Sequence, residues 1–126
     1  MNIVITGASK GLGKAMAEKF AAAGHILFIC ARNEVELYGT MQQLQLDHPQ
    51  SSIRAKSADL SNKETVKEFA DWCLLFGTPD IIINNAGQYL PGSVYNEEEG
   101  LLEKLMDVNL YSAYHLTRAL LPSMLQ

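Results

Sequence analysis

The segment Thr6-Gly7-Ala8-Ser9-Lys10-Gly11-Leu12-Gly13 joins a short β-branched run, Asn2–Thr6, to a stretch of helical periodicity. Its three glycines permit a sharp backbone turn and the close approach of a ligand. The first turn of the following helix offers N–H groups without partners and the positive end of a dipole, so the junction suits an anion such as a pyrophosphate. Gly13 further permits the helix to pack tightly on its sheet. The bland alternative is that glycines simply punctuate a strand-to-helix turn. Spacing restricts the choice of anion. A nucleoside-triphosphate loop requires G-x-x-x-x-G-K-[ST], but Ala8 stands at its first glycine and Ala15 at its hydroxyl position. The G-x-G-x-x-G fingerprint also fails, because Gly11-x-Gly13 is followed by Met16.

Other chemistries find little support. Cys30 and Cys73 lie in apolar periodic segments with no CxxC or Cys/His spacing, so they read as buried free thiols in a reducing compartment. No metal site is expected. The formal charge of −4 gives no basic footprint for nucleic acid or an anionic membrane. With 48% hydrophobic and 19% charged residues the chain reads as a soluble globular protein, expected in the cytoplasm. No run approaches the length of a signal or membrane-spanning segment.

The elements that must position the glycine loop alternate strictly. Strands are expected at Asn2–Thr6, Ile26–Ala31, Ile53–Ala58 and Asp80–Asn84, the last with three consecutive isoleucines, as in a parallel strand covered on both faces. A first helix is expected over Leu12–Ala23, ending at Gly24. A second follows the pair Asn33/Glu36 and ends at His48-Pro49, and a third follows a capping box Ser61-Asn62-Lys63-Glu64. Glu97-Glu98-Glu99 are expected to open a last helical stretch that runs, with a break, towards Leu121. The order βαβαβαβα predicts one α/β domain over residues 1–126, an incomplete doubly wound parallel sheet.

The glycine pattern T-G-x-x-x-G-x-G resembles that of the short-chain dehydrogenase/reductase family. Three later segments match the family in order: Asp59-Leu60, Asn84-Asn85-Ala86-Gly87 and Asp107-Val108-Asn109-Leu110. The resemblance implies a Rossmann-type fold, truncated after the fourth strand and its helix. It implies that Gly7, Ser9, Lys10, Gly11 and Leu12, with Gly13 behind them, line the adenosine and pyrophosphate side of a dinucleotide. Asp59 would bond the adenine amino group and Leu60 would supply a neighbouring backbone contact; the alternative for Asp59 is a helix-flanking cap near Ser61. Asn85, Ala86 and Gly87 would form a flat floor beside the ribose and nicotinamide. Asn109 matches the family's catalytic asparagine, which kinks its helix and holds a water in a proton relay.

Cofactor choice is read at the end of the second strand, where an NAD-specific site places a carboxylate. Ala31-Arg32-Asn33 stands there instead, and Arg32 offers planar charged donors to a 2′-phosphate with Lys10 as a second cation. NADP(H) is the expected cofactor. The family's remaining chemistry needs a serine and a Tyr-x-x-x-Lys pair, and no such pair occurs. Tyr114/Arg118 is the nearest imitation and falls too early in the family order. The resemblance therefore implies an NADP(H)-dependent oxidoreductase acting on a carbonyl/alcohol pair, with these residues alone expected to be inactive. It also implies a homo-oligomer built through the last helix. The alternative is a non-catalytic dinucleotide-binding sensor or interaction module.

Overall fold

The computed structural model describes residues 1–126. β1 (Asn2–Thr6), β2 (Ile26–Ala31), β3 (Ser52–Ser57) and β4 (Ile81–Ile83) form one parallel sheet in the order β3-β2-β1-β4. Helices α1 (Gly11–Ala22), α2 (Glu34–Asp47) and α3 (Lys63–Leu74) fill the crossovers. After β4 the chain runs through α4 (Leu101–Met106), a π-helical turn (Asp107–Tyr111) and α5 (Ser112–Met124). The strand order steps outward from β1 to β3 and then returns to the other side of β1.

Side-chain alternation along the strands explains why both faces are covered. On β1 and β2, Ile3, Ile5, Leu27 and Ile29 enter one core with Ala17 and Ala21 of α1 and Leu37 and Leu44 of α2. Their neighbours Val4, Phe28 and Cys30 enter a second core with Val66, Phe69 and Cys73 of α3 and Leu116 and Leu120 of α5. A strand buried on both faces has no polar side, so its sequence is a continuous apolar run. This is a Rossmann-type doubly wound sheet. The second core is aromatic: Phe28, Phe69, Trp72 and Phe76 pack with ring centroids between 5.4 and 6.1 Å apart. The two free cysteines are buried there, and burial pushes the Cys73 thiol up to about 12 and the Cys30 thiol higher still.

Local signals place most helix ends. Gly24, at φ 83°, follows α1 in a Schellman closure, with its N–H on Ala21 and that of His25 on Phe20. Asn33 caps α2 by accepting from the Glu36 N–H at 3.0 Å. Two expectations need correction. The cap of α3 is Asn62, which accepts from the N–H groups of Glu64 and Thr65, and Ser61 is not the cap. Ser61 instead gives both its hydroxyl and its N–H to Asp59 Oδ1, a charged and therefore stronger acceptor. Glu97–Glu99 do not open a helix; they follow a turn at Ser93, and α4 starts only after Gly100. The strand bounds differ modestly: β3 begins one residue early, and β4 keeps only its three isoleucines.

Leu116 is fully buried between α5 and the sheet. Leu116→Ala is expected to lose about 2–5 kcal/mol of stability through the cavity it leaves. Urea unfolding should show a lower midpoint at an unchanged slope.

Candidate active site

All four strands end at one cleft of about 780 Å³, so the sequence-distant motifs are gathered by the sheet itself. Gly7, Ser9 and Lys10 follow β1; Ala31, Arg32 and Asn33 follow β2; Ala58, Asp59 and Leu60 follow β3; Asn85–Leu90 follow β4. The cleft opens at the carboxyl ends of the strands where the order reverses between β1 and β4, the place where open α/β sheets bind ligands.

The junction of β1 and β4 is closely tied. The Thr6 hydroxyl oxygen accepts from the N–H groups of Asn85 at 3.0 Å and Ala86 at 2.9 Å. Asn85 Nδ2 donates to the Gly7 carbonyl at 3.1 Å, and Asn84 Nδ2 donates to Thr117 Oγ1 on α5 at 3.1 Å. Gly7 lies against the Ala86 backbone at φ 65°, and a Cβ there would meet Ala86 Cα at 3.0 Å. At Gly13 a Cβ would stand 2.3 Å from the Gly7 carbonyl oxygen, so α1 reaches the loop only because this residue has no side chain. Gly13 thus serves helix packing. Gly11, Leu12 and Gly13 do not line the cleft, and the Leu12 side chain is 69% exposed. The first turn of α1 carries the Leu12 side chain outward, so what Gly11, Leu12 and Gly13 can present to a ligand is their backbone N–H groups.

α1 starts at the cleft without a side-chain cap, Lys10 being in extended conformation at its N-cap position. Lys67, paired with Asp71, is the one Lys or Arg in a salt bridge, and the Glu18–His48 hydrogen bond also lies away from the cleft, so Lys10 and Arg32 face it without a direct carboxylate partner. The Ser61 hydroxyl and N–H hold the Asp59 carboxyl below the usual carboxylate range, helped by the Arg32 and Lys104 charges. Asp59 is therefore ionised, and it does flank the turn before α3 as well as line the cleft.

Asn109 sits in the π-helical turn and does not itself line the cleft. Its side chain clamps the backbone of Gln88, accepting from the N–H at 2.6 Å and donating to the carbonyl at 2.8 Å. Gln88 does line the cleft, and its Oε1 is the one buried side-chain polar atom without a partner. Gln88 directly follows the Asn84–Gly87 motif, so the signal for it was its place in sequence. Glu36 also reaches the cleft; in sequence it is part of a cap and, with Glu34, one of the acids nearest the end of β2. Tyr114 and Arg118 form a 3.2 Å hydrogen bond on the exposed face of α5, outside the cleft. No three His, Cys, Asp or Glu side chains gather as a metal site, and no helix is long and apolar enough to cross a membrane.

The short chain dehydrogenase family model matches residues 1–126. The chain belongs to the short-chain dehydrogenase family. Dehydrogenase/reductase SDR family member 7B of Xenopus tropicalis is 38% identical over 135 residues, an alignment covering 98% of this chain and 42% of that relative. L-sorbose reductase from Gluconobacter frateurii, solved with NADPH and L-sorbose, superposes with a TM-score of 0.91 at 27% identity, over 98% of this chain and 47% of that one. An alcohol dehydrogenase from the archaeon Thermococcus sibiricus, complexed with 5-hydroxy-NADP, gives 0.91 at 30% identity, over 98% and 52%. The chain thus spans about half the length of these short-chain dehydrogenases.

Thr6 is 2% exposed, and its hydroxyl serves two backbone donors. Thr6→Val keeps the shape and orphans both, so it is expected to cost about 1–3 kcal/mol for each unsatisfied group. Thr6→Ser should retain most of the stability. Denaturant unfolding of the two variants, with amide exchange at Asn85 and Ala86, checks this.

Proposed function

We propose that this chain holds NADP(H) in the cleft and serves a short-chain dehydrogenase that interconverts a carbonyl and an alcohol. The observation that carries the reading is that Lys10 and Arg32 both line a cleft where the segment directly after β2, Ala31-Arg32-Asn33, bears no carboxylate. The residues fit the group. The uncapped start of α1 offers N–H donors to a pyrophosphate. Arg32 and Lys10 meet a 2′-phosphate, with Ser9 and Asn33 beside them. Asp59 and Leu60 border the adenine, and Asn85, Ala86 and Gly87 form the floor on the nicotinamide side. The solved relatives that carry NADPH and 5-hydroxy-NADP support the same choice.

When bound, the nicotinamide supplies the hydride that passes to or from the substrate carbon. The chain's own part is to bind and orient. Asn109 acts by positioning: it fixes the Gln88 backbone at the cleft wall and retains one amide hydrogen for a relay water. The family's homo-oligomeric assembly and cytoplasmic setting complete the proposal.

Titration of cofactor fluorescence tests the specificity. NADPH should bind more tightly than NADH. Arg32→Asp should weaken NADPH by about 1.5–3 kcal/mol, the worth of a hydrogen bond to a charged group, while NADH changes little. Equal affinities in the wild-type chain would overturn the assignment.

No Tyr-x-x-x-Lys occurs in the 126 residues. These residues by themselves are expected to bind NADPH without consuming it when offered aldehydes, ketones and quinones. Turnover abolished by Tyr114→Phe would instead assign proton transfer to the Tyr114/Arg118 pair.

A further inference from the structure

Four residues of formal charge line the cleft, and their charges cancel: Lys10 and Arg32 against Glu36 and Asp59. Asp59 has its Oδ1 occupied twice by Ser61 at the end of β3. Glu36 is held differently. Its backbone N–H donates to Asn33 Oδ1 at 3.0 Å, as in a capping box, but its carboxylate does not turn back to the Asn33 N–H. Oε1 instead accepts from Ser9 Oγ at 2.7 Å, across 27 residues of sequence. Thr40 of the same helix donates to the Ser9 carbonyl at 3.0 Å in a buried bond. Ser9 is therefore stitched to α2 through both its hydroxyl and its carbonyl. The half-buried carboxylate is pinned on the wall of the cleft rather than swinging in solvent.

We propose that Glu36 is a specificity-determining residue that tempers the preference for a 2′-phosphate set by Lys10 and Arg32. This rests on the reading that the adenosine end of a dinucleotide lies among these residues. A phosphate carries roughly two negative charges at neutral pH and brings them towards a fixed carboxylate. It also meets a Ser9 hydroxyl whose proton is already donated to Glu36. A 2′-hydroxyl suffers neither cost and can donate to the carboxylate's free lone pairs. Glu36 thus penalises the phosphorylated cofactor selectively, so the site admits both cofactors with a smaller ratio than its two cations alone would set.

The test compares the full chain with Glu36→Gln, which keeps an acceptor for Ser9 Oγ and removes the charge. NADPH and NADH are titrated by fluorescence, and 2′-AMP and 5′-AMP by calorimetry. NADPH and 2′-AMP should each bind about tenfold tighter to the variant, equivalent to about 1.4 kcal/mol, with NADH and 5′-AMP within about twofold of wild type. The gain should shrink as salt is raised, because it is a charge effect. Equal changes for the phosphorylated and unphosphorylated ligands, or weaker NADPH binding, would overturn the proposal. A wild-type preference for NADH would count against NADP(H) as the cofactor, yet a selective NADPH gain in Glu36→Gln would still uphold the role of Glu36. If the glutamine variant does not fold by circular dichroism, Glu36→Ala carries the same comparison.

Discussion

The Thr6 hydroxyl oxygen, accepting from two successive backbone N–H groups after β4, is the contact on which the rest of the site depends. β1 and β4 pair through only three residues each, so the sheet alone does little to fix the loops that leave them. The Thr6 bonds bring Asn85 and Ala86 against Gly7, and Asn85 then closes on the Gly7 carbonyl. From the other side, α1 reaches the same carbonyl through the bare Cα of Gly13. Three segments of backbone meet within van der Waals distance of one peptide group. A side chain on Gly7 or Gly13 would force them apart, and the cleft with them.

The two-sided core serves that junction. Because β1 and β2 bury every residue from Ile3 to Ile5 and from Leu27 to Ala31, both faces must be roofed by helices. The loops that leave the strands then emerge only at the ends. The loops at the carboxyl ends converge, and their motifs meet although they are dispersed from Gly7 to Gln88 in sequence. Leu116 and Leu120 bring α5 onto the second face, which places the π-helical turn beside the loop after β4. A π-helical turn misaligns the regular helical ladder and is seldom formed without a reason. Here the two bonds between Asn109 and the Gln88 backbone accompany it, coupling a helix irregularity to the position of a cleft residue.

Features encoded locally were legible in the sequence. β2 runs Ile26–Ala31 as its apolar run indicates, and Asn33 and Gly24 bound their helices as their residue types require. The family pattern placed Gly7, Ser9, Lys10, Arg32, Asn33, Asp59, Leu60 and Asn85–Gly87 together, and these residues do share the cleft. Competition between neighbours was less legible. Ser61 and Asn62 are both fit to cap α3, and only the carboxylate of Asp59 decides between them. Three glutamates before α4 satisfy a charge rule, yet Gly100 intervenes and the helix starts late. Tertiary partners left no sequence signal. Glu36 bonds Ser9 from 27 residues away, and nothing near either residue announces it.

The cleft brings together groups that the fold leaves without partners. α2 and α3 are capped by Asn33 and Asn62, while α1, like α4, starts with no side-chain cap, which forgoes about 1 kcal/mol. Lys67 is the one Lys or Arg in an ion pair, so Lys10 and Arg32 are set apart from the other unpaired cations only by their place on the cleft. The buried side-chain acceptor left without a donor, Gln88 Oε1, belongs to the same lining. The three kinds of deficit here share one chemistry. Free N–H groups and two free cations suit anionic oxygen, and an orphan acceptor suits a hydroxyl or amide. A molecule with phosphates at one end and hydroxyl or carboxamide groups at the other would meet all three, which is why the cleft supports a dinucleotide better than a simple anion.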